Sequence, residues 1–426
     1  MISNKIKGLH ISGKKELIKD TKAINFLSPK FIYIPLNSCN CLVNANDYVL
    51  KGQVVAKRID RFPFDIHSSV SGRVIGIKKM WHPSGKMVES IEIENDFKET
   101  KVSNFTQKFE LSKDKIVNVM KQIGLVGLGG AGFPTYVKYE NQNAHILIIN
   151  CAECEPYLNT DYSIILNECE LFLKGVRYMQ IASGAQKVVI AIKKTKKEAI
   201  TILKENIIDY PECELLLLND VYPAGYEKYI VQRVIKHDYE GLPINAGVIV
   251  NNAQTAYALA RSVEENLPLV EKYITISGEG IKKPVVVRVK VGTLLSEVIT
   301  FLGGYSLDSS NAYFVSGGPM TGNAMVSDDV IITAASSGAC VLRKPKNKKM
   351  PECMGCGKCA THCPMKLTPT EIKQAYLNND LNLLLDLQTK KCIQCGLCSY
   401  VCPSKIEISD YVNKAKNFIY KNESNK

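Results

Sequence analysis

Eight cysteines near the carboxyl end carry the clearest chemistry in this chain. Cys353-x2-Cys356-x2-Cys359-x3-Cys363-Pro364 recurs as Cys392-x2-Cys395-x2-Cys398-x3-Cys402-Pro403. A cubane [4Fe–4S] cluster needs four thiolates aimed at one centre. Two-residue gaps let three sulfurs converge from one tight loop, and in two-cluster arrangements the fourth comes from the other motif. The spacing therefore predicts one cluster on Cys353, Cys356, Cys359 and Cys402, and a second on Cys392, Cys395, Cys398 and Cys363. Gly357 and Gly396 each follow a motif's second cysteine, where freedom of φ permits a close wrap. Paired zinc sites are the competing reading, but zinc favours two separated pairs of ligands over this run ending in Cys-Pro. His362 adjoins Cys363, yet four cysteines per centre leave it no ligand role. Such clusters pass single electrons and do no bond chemistry.

A second constellation is Gly124-Leu-Val-Gly127-Leu-Gly129-Gly130-Ala131-Gly132-Phe133-Pro134-Thr135, with five glycines in nine residues. Bare backbone of this kind can approach a phosphate or a flat ring and offer amide N–H groups to an anion. Glycine-rich turns are common, so context decides. The apolar run HILIIN leads into Asn150-Cys151-Ala152-Glu153-Cys154-Glu155-Pro156. Glu153 and Glu155, just past a strand, could accept hydrogen bonds from ribose hydroxyls; a solvated acidic loop is the plainer alternative.

These groups need a scaffold, and 426 residues suggest about three domains. A hydrophobic content of 46% with 23% charged residues excludes wholesale disorder. No apolar run approaches the roughly 18–20 residues that span a bilayer. The start, MISNKIKGLHISGKKELIKD, lacks the apolar core of a secretory signal, so a cytoplasmic address is expected. In a reducing compartment, clustered cysteines mean metal rather than disulfides. Residues 1 to about 110 read as β-rich (FIYIPL, DYVLKGQVVAKRI, SGRVIGI, SIEIEN). From 116 to 265, HILIIN and KVVIAI alternate with helical stretches near 161–180 and 196–208, an α/β pattern. Residues 268–340 return to short strands, with a helix expected at 293–302. A basic connector, 343–349, leads into the cysteine-rich end, 345–420. Cys39 and Cys41 are read as facing opposite sides of a strand, against a shared metal. Cys169, Cys213 and Cys340 lack ligand spacing and are assigned to the core.

GLVGLGGAGFPTYVK and INCAECEPYLNTDY resemble the RnfC family of the Rnf electron-transport complex, itself similar to the flavin-binding, NADH-oxidising subunit of respiratory complex I. YPAGYEKYIV (222–231), VIVNNAQTAYAL (248–259) and GGPMTG (317–322) resemble further family landmarks in the family's order. The resemblance implies a multidomain α/β and α+β protein: an N-terminal barrel-sandwich hybrid, a complex-I-like flavin/NADH α/β domain, a β-grasp (SLBB) module and a C-terminal two-[4Fe–4S] ferredoxin-like domain. It implies FMN and NADH beside the clusters. Gly127, Gly129, Gly130, Gly132 and Lys138 match the flavin-cradling loop, and Asn150 and Asn252 match asparagines that hold the FMN phosphate or ring. Phe133 falls where an aromatic packs on nicotinamide or adenine, and Glu155 and Glu227 where glutamates touch NADH.

The departures are specific. The family's Gly-Gly-x-His-Pro-Pro appears only as Gly8-Leu9-His10-Ile11-Ser12, and its Gln-His-x-Gly-x-Pro is replaced by Asn37-Ser38-Cys39-Asn40-Cys41. Cys151 stands where the family has glycine, so Cys151 and Cys154 have the spacing of a dithiol/disulfide couple. These changes fit a soluble branch, the proline reductase-associated electron-transfer proteins of amino-acid-fermenting anaerobes. The expected activity is an electron relay from NADH through FMN and the clusters to a partner protein. The alternative is an adaptor that relays electrons without its own flavin.

Formal net charge is +12, and residues 341–426 hold 15 Lys/Arg against 7 Asp/Glu, or +8 of it. That charge suits an acidic redox partner (a reductase, a ferredoxin or other Rnf proteins) or a peripheral position on the inner face of the cell membrane. Nucleic acid is not the expected partner, because the basic tract lacks interleaved aromatics and any recognisable module.

Overall fold

Short β-prone runs punctuated by turn residues build two facing sheets at the amino end. The structure is a computed structural model, and it describes residues 8–18, 22–103, 111–140, 142–344 and 352–424. β2 (Phe31–Pro35), β8 (Met87–Asn95), β7 (Gly72–Trp81) and β4 (Tyr48–Val49) form one antiparallel sheet, while β3 (Cys39–Cys41), β5 (Val54–Arg58) and β6 (Asp65–His67) form the other. Inward residues including Ile32, Ile34, Val55, Val74, Ile91 and Ile93 fill the space between them. This is the expected barrel-sandwich unit with one change: β1 (Ile24–Phe26) leaves it and pairs in parallel with a strand near residue 287. A correction concerns β3. Side chains two residues apart on a strand share a face, so Cys39 and Cys41 lie on the same side of it, not on opposite sides.

Near-continuous apolar runs mark strands covered on both faces. β9 (Ile146–Cys151), β10 (Lys187–Lys193), β11 (Cys213–Leu218) and β12 (Val248–Asn252) are such strands and form a parallel sheet in the order β11-β10-β9-β12. Leu147, Ile149, Val188 and Ile190 point to the face covered by α1 (Lys113–Gln122), α3 (Cys169–Ser183) and α6 (Ala253–Glu265). Ile148, Val189 and Val250 point to the other, where α5 (Glu227–Ile235) supplies Ile230 and Val231. α2 (Thr160–Asn167) and α4 (Lys197–Asn206) complete this domain. Helices α3 and α6 cross at Gly175, where a Cβ would overlap the Ala256 carbonyl. Gly175→Ala is therefore expected to cost about 1–3 kcal/mol or more, read as a lower urea midpoint with unchanged slope.

The third unit is a mixed sheet in the order β1-β14-β13-β17-β15-β16, built from β13 (Glu271–Ser277), β14 (Val285–Lys290), β15 (Ala312–Ser316), β16 (Asn323–Met325) and β17 (Gly338–Arg343). α7 (Leu295–Phe301), inside the helix expected at 293–302, packs on it in a β-grasp arrangement. The basic connector lies outside the described residues from 345 onward. Beyond it, α9 (Pro369–Leu377), α10 (Leu381–Asp386) and α12 (Ile408–Ser424) enclose a small core with Ile372, Leu384, Val412 and Ile419. The short helices α8 (Lys358–Thr361) and α11 (Leu397–Tyr400) carry cysteines of the two motifs. Among the described residues, no helix is long and apolar enough to cross a membrane.

Candidate functional site

The parallel sheet fixes where a ligand can sit. From β9 the chain adds β10 and β11 on one side, then returns to place β12 on the other. Connections leaving the carboxyl ends of β9 and β12 therefore diverge, and ligands of open α/β sheets bind in that crevice. Asn150 and Asn252, register partners at the ends of these two strands, line a cavity of about 250 Å³ there. Gly129 joins them from the glycine loop, and Glu153, Cys154, Glu155 and Asp161 from the chain after β9.

Each group is held by its neighbours. Asn150 Nδ2 donates to the Gly225 carbonyl (2.8 Å), and Asn252 Nδ2 donates to Asp161 Oδ2 (2.7 Å). Burial and then the nearby Glu153 charge push the Asp161 carboxyl up to about 8, so it carries its proton at neutral pH. Glu153 Oε1 accepts from the Asp161 amide (2.8 Å). Lys15 reaches in from the amino-terminal segment, donating to the carbonyls of Glu153 (2.7 Å) and Leu158.

The residues fit an FMN group. A Cβ on Gly129 would stand 3.1 Å from Asn252 Cγ, and Gly130 and Gly132 have φ of 113° and 61°, so the loop needs glycine to come this close. The loop is seated by Leu128, whose amide donates to Thr255 Oγ1 (3.0 Å) in α6. The amino end of α6, capped by Asn252 Oδ1 accepting from the Gln254 amide (3.0 Å), opens on the cavity as an anion site would. Glu153 Oε2 is buried there and accepts no hydrogen bond.

Thiols gather beside this cavity. Cys363, Cys392, Cys395 and Cys398, the set expected for the second cluster, line one small apolar pocket with Pro364, Leu367 and Val412. Four thiols in an apolar wall are the donor set an iron–sulfur cube requires. Gly357 and Gly396 sit at φ of 69° and 76°, as their place after each second cysteine predicts. In the other set, Cys359 and Cys402 share the small helical core, while Cys353 and Cys356 are exposed. The thiols are gathered rather than closed on a metal: among the described residues no three Cys, His, Asp or Glu form a metal-holding group. Ile393 and Cys395 line the cavity at the strand ends as well as the four-thiol pocket, so one wall separates the two. Tyr222 braces that wall, its hydroxyl donating to the Cys395 carbonyl (2.7 Å).

Several expected residues stand elsewhere. Phe133 meets Phe62 of the barrel edge-on (5.3 Å) and is not a wall of the cavity. Lys138 donates to the Val250 carbonyl (2.7 Å) and lies 3.6 Å from Glu227, so these two pair with each other beside the cavity. Glu155 does line it, but its carboxylate accepts from the Met320 amide (2.6 Å) and Thr321 Oγ1 (3.0 Å). Gly127, Gly130 and Gly132 shape the loop without forming the wall. The Cys151–Cys154 couple is corrected: Cys151 is buried in the core under α3 and α6, and Cys154 packs in a separate apolar cluster with Tyr222 and Cys395. Tyr222, Asp161 and Thr321 were missed as wall residues, although each lies in a stretch already singled out: YPAGYEKYIV, INCAECEPYLNTDY and GGPMTG.

Comparison with known proteins agrees with this layout. Residues 4–98 match the RnfC barrel sandwich hybrid domain, 120–261 the Nuo51 FMN-binding domain, 273–324 the SLBB domain and 352–406 a 4Fe-4S dicluster domain. The chain is 31% identical over 382 residues to the RnfC-type component of the Na(+)-translocating ferredoxin:NAD(+) oxidoreductase complex of Acetobacterium woodii, covering 86% of each chain. It is 32% identical over 357 residues to the corresponding component of the proton-translocating ferredoxin:NAD(+) oxidoreductase complex of Clostridium ljungdahlii, covering 80% of this chain and 78% of that one. In fold it resembles a chain of an NAD+-reducing [NiFe]-hydrogenase, with TM-score 0.51 and 17% identity, over 72% of this chain and 63% of the other.

Proposed function

The chain belongs to the RnfC family of ferredoxin:NAD(+) oxidoreductase components, and from that premise we propose that it relays electrons between NADH and a partner protein in a fixed spatial order. Its cofactors are FMN and two [4Fe–4S] clusters. When bound, FMN exchanges a hydride with NADH, and the clusters carry electrons one at a time.

The observation that carries the proposed order is the shared wall: Ile393 and Cys395 face the strand-end cavity on one side and the four-thiol pocket on the other. Asn150, Asn252 and the glycine loop hold the flavin against that wall. Cys363, Cys392, Cys395 and Cys398 hold the proximal cluster. Cys353, Cys356, Cys359 and Cys402 hold the distal one, whose exposed loop, with Met354 66% accessible, meets the partner. The intact cavity and its glycine-specific contacts argue against the flavin-free adaptor.

Freeze-quench paramagnetic resonance tests the order. In Cys353→Ser, NADH is expected to reduce the remaining proximal cluster as in the parent chain; loss of that signal would contradict the assignment. As the proposed partners, we take the other proteins of such a complex, which hold this chain peripherally at the cytoplasmic face of the membrane. The +8 balance of residues 341–426 favours an acidic acceptor surface. Electron delivery is expected to slow as ionic strength rises, and a salt-independent exchange rate would reject charge-guided docking.

A further inference from the structure

The structure takes a dithiol role away from Cys151 and Cys154 and brings another pair together. Cys39 and Cys41 occupy the same face of β3, with Asn40 between them. β3 is the edge of its three-stranded sheet, hydrogen-bonded to β5 on one side. Cys41 is exposed and Cys39 half-buried. Their thiols donate only to nearby carbonyls, Cys39 to Asn37 (3.1 Å) and Cys41 to Val43 (3.2 Å).

Two residues of extended chain separate the Cα atoms by about 6.6 Å, near the upper end of the span a disulfide bridges. A three-residue edge strand entered through Ser38 at φ 53° has little ladder to lose in closing that ring. No third Cys, His, Asp or Glu completes a metal site with them among the described residues. The pair also adjoins the redox machinery. Cys39 is the register partner of Arg58, which opens the turn carrying Phe62 onto Phe133 of the glycine loop (5.3 Å).

We propose that Cys39 and Cys41 form an exchangeable dithiol that passes two electrons from NADH to a disulfide on a partner protein. The proposal rests on the NADH-oxidising reading above. Cys41, as its thiolate, attacks one sulfur of the partner's disulfide, forming a mixed disulfide and releasing the other sulfur. Cys39 then attacks the Cys41 sulfur, closing a Cys39–Cys41 bond and freeing the partner's second thiol. The partner gains two electrons and two protons, which the pair loses. NADH with one proton from solvent restores both thiols and leaves as NAD+. Burial pushes the Cys39 thiol up, against the opposing Arg58 charge, which suits the second, resolving step.

The test uses the full chain with its cofactors under anaerobic conditions, and oxidised glutathione as the disulfide. Free thiols are alkylated and tryptic peptide 31–51, which contains no other cysteine, is weighed. The expected product is a peptide two hydrogens lighter, returned to the dithiol by NADH. Cys39→Ser is expected to trap a glutathione adduct on Cys41. Cys41→Ser is expected to lower NADH-driven glutathione reduction roughly tenfold or more, while cluster bleaching by NADH is unchanged. Thiols that never pair, or equal reduction by the Cys41→Ser chain, overturn the proposal. A bond that persists while the flavin and cluster bands bleach overturns it and leaves the NADH reading standing. A bond that persists with the bands unbleached overturns both.

Discussion

Cys395→Ser is expected to cut NADH-driven reduction of an external one-electron acceptor by about 100-fold or more, since even outer-shell changes at metal sites cost roughly 10–100-fold. Bound iron should fall by about half, one four-iron cluster of two. Flavin content should persist, because Cys395 contributes to the cavity wall but not to the glycine loop or the amino end of α6. The size of the effect follows from position: this cysteine borders both the cavity and the four-thiol pocket. Tyr222→Phe is the matched control. It deletes only the hydroxyl that donates to the Cys395 carbonyl (2.7 Å), a net loss of about 0.5–1.5 kcal/mol, and should keep the full iron content. Iron analysis with acceptor kinetics reads both variants, and a Cys395→Ser chain that still delivers NADH electrons at the parent rate would remove the proximal cluster from the path.

The second large effect is structural. Glu271 is buried where three domains meet, accepting from Lys51 (3.1 Å) of the barrel, Arg261 (2.7 Å) of the α/β domain and Arg288 (2.8 Å) of the β-grasp sheet, with Lys290 at 3.4 Å. Removing one partner from such a network strands buried charge, and Glu271→Ala is expected to cost about 3–5 kcal/mol. Burial pushes the Glu271 carboxyl up, but the charges of Arg261, Lys290 and Lys51 outweigh it and hold the group well below the usual carboxylate range. Because the folded value is depressed, the carboxylate's contribution is complete above the unfolded value of about 4.3 and is lost as pH falls below it. Denaturant midpoints from pH 7 to pH 3 should therefore fall more steeply for the parent chain than for Glu271→Ala. Parallel curves would mean that Glu271 does not anchor the domains.

Local signals made some of this legible in sequence. Ligand spacing is local chemistry, so the two cluster motifs and their glycines could be read directly, and Cys363 does stand with Cys392, Cys395 and Cys398. Buried parallel strands announce themselves as apolar runs, and HILIIN and KVVIAI became β9 and β10. What escaped depends on contacts between distant segments. Tyr222 became a cavity wall only because the second cysteine loop folds against it, 173 residues away. Phe133 and Lys138 match the family's flavin loop, yet Phe133 turned to Phe62 and Lys138 to Glu227, partners that spacing along the chain does not reveal. Cys151 and Cys154 have redox spacing, but the end of β9 sends Cys151 into the core, while the same-face pairing of Cys39 and Cys41 needed only correct strand periodicity.

Anaerobic purification followed by flavin and iron analysis, with visible spectra before and after NADH, tests the relay most directly. The account predicts about one FMN and about eight irons per chain, two four-iron clusters, with both flavin and cluster bands bleached by NADH. Eight irons without flavin, and a spectrum indifferent to NADH, would contradict it and leave an adaptor that draws its electrons from another protein.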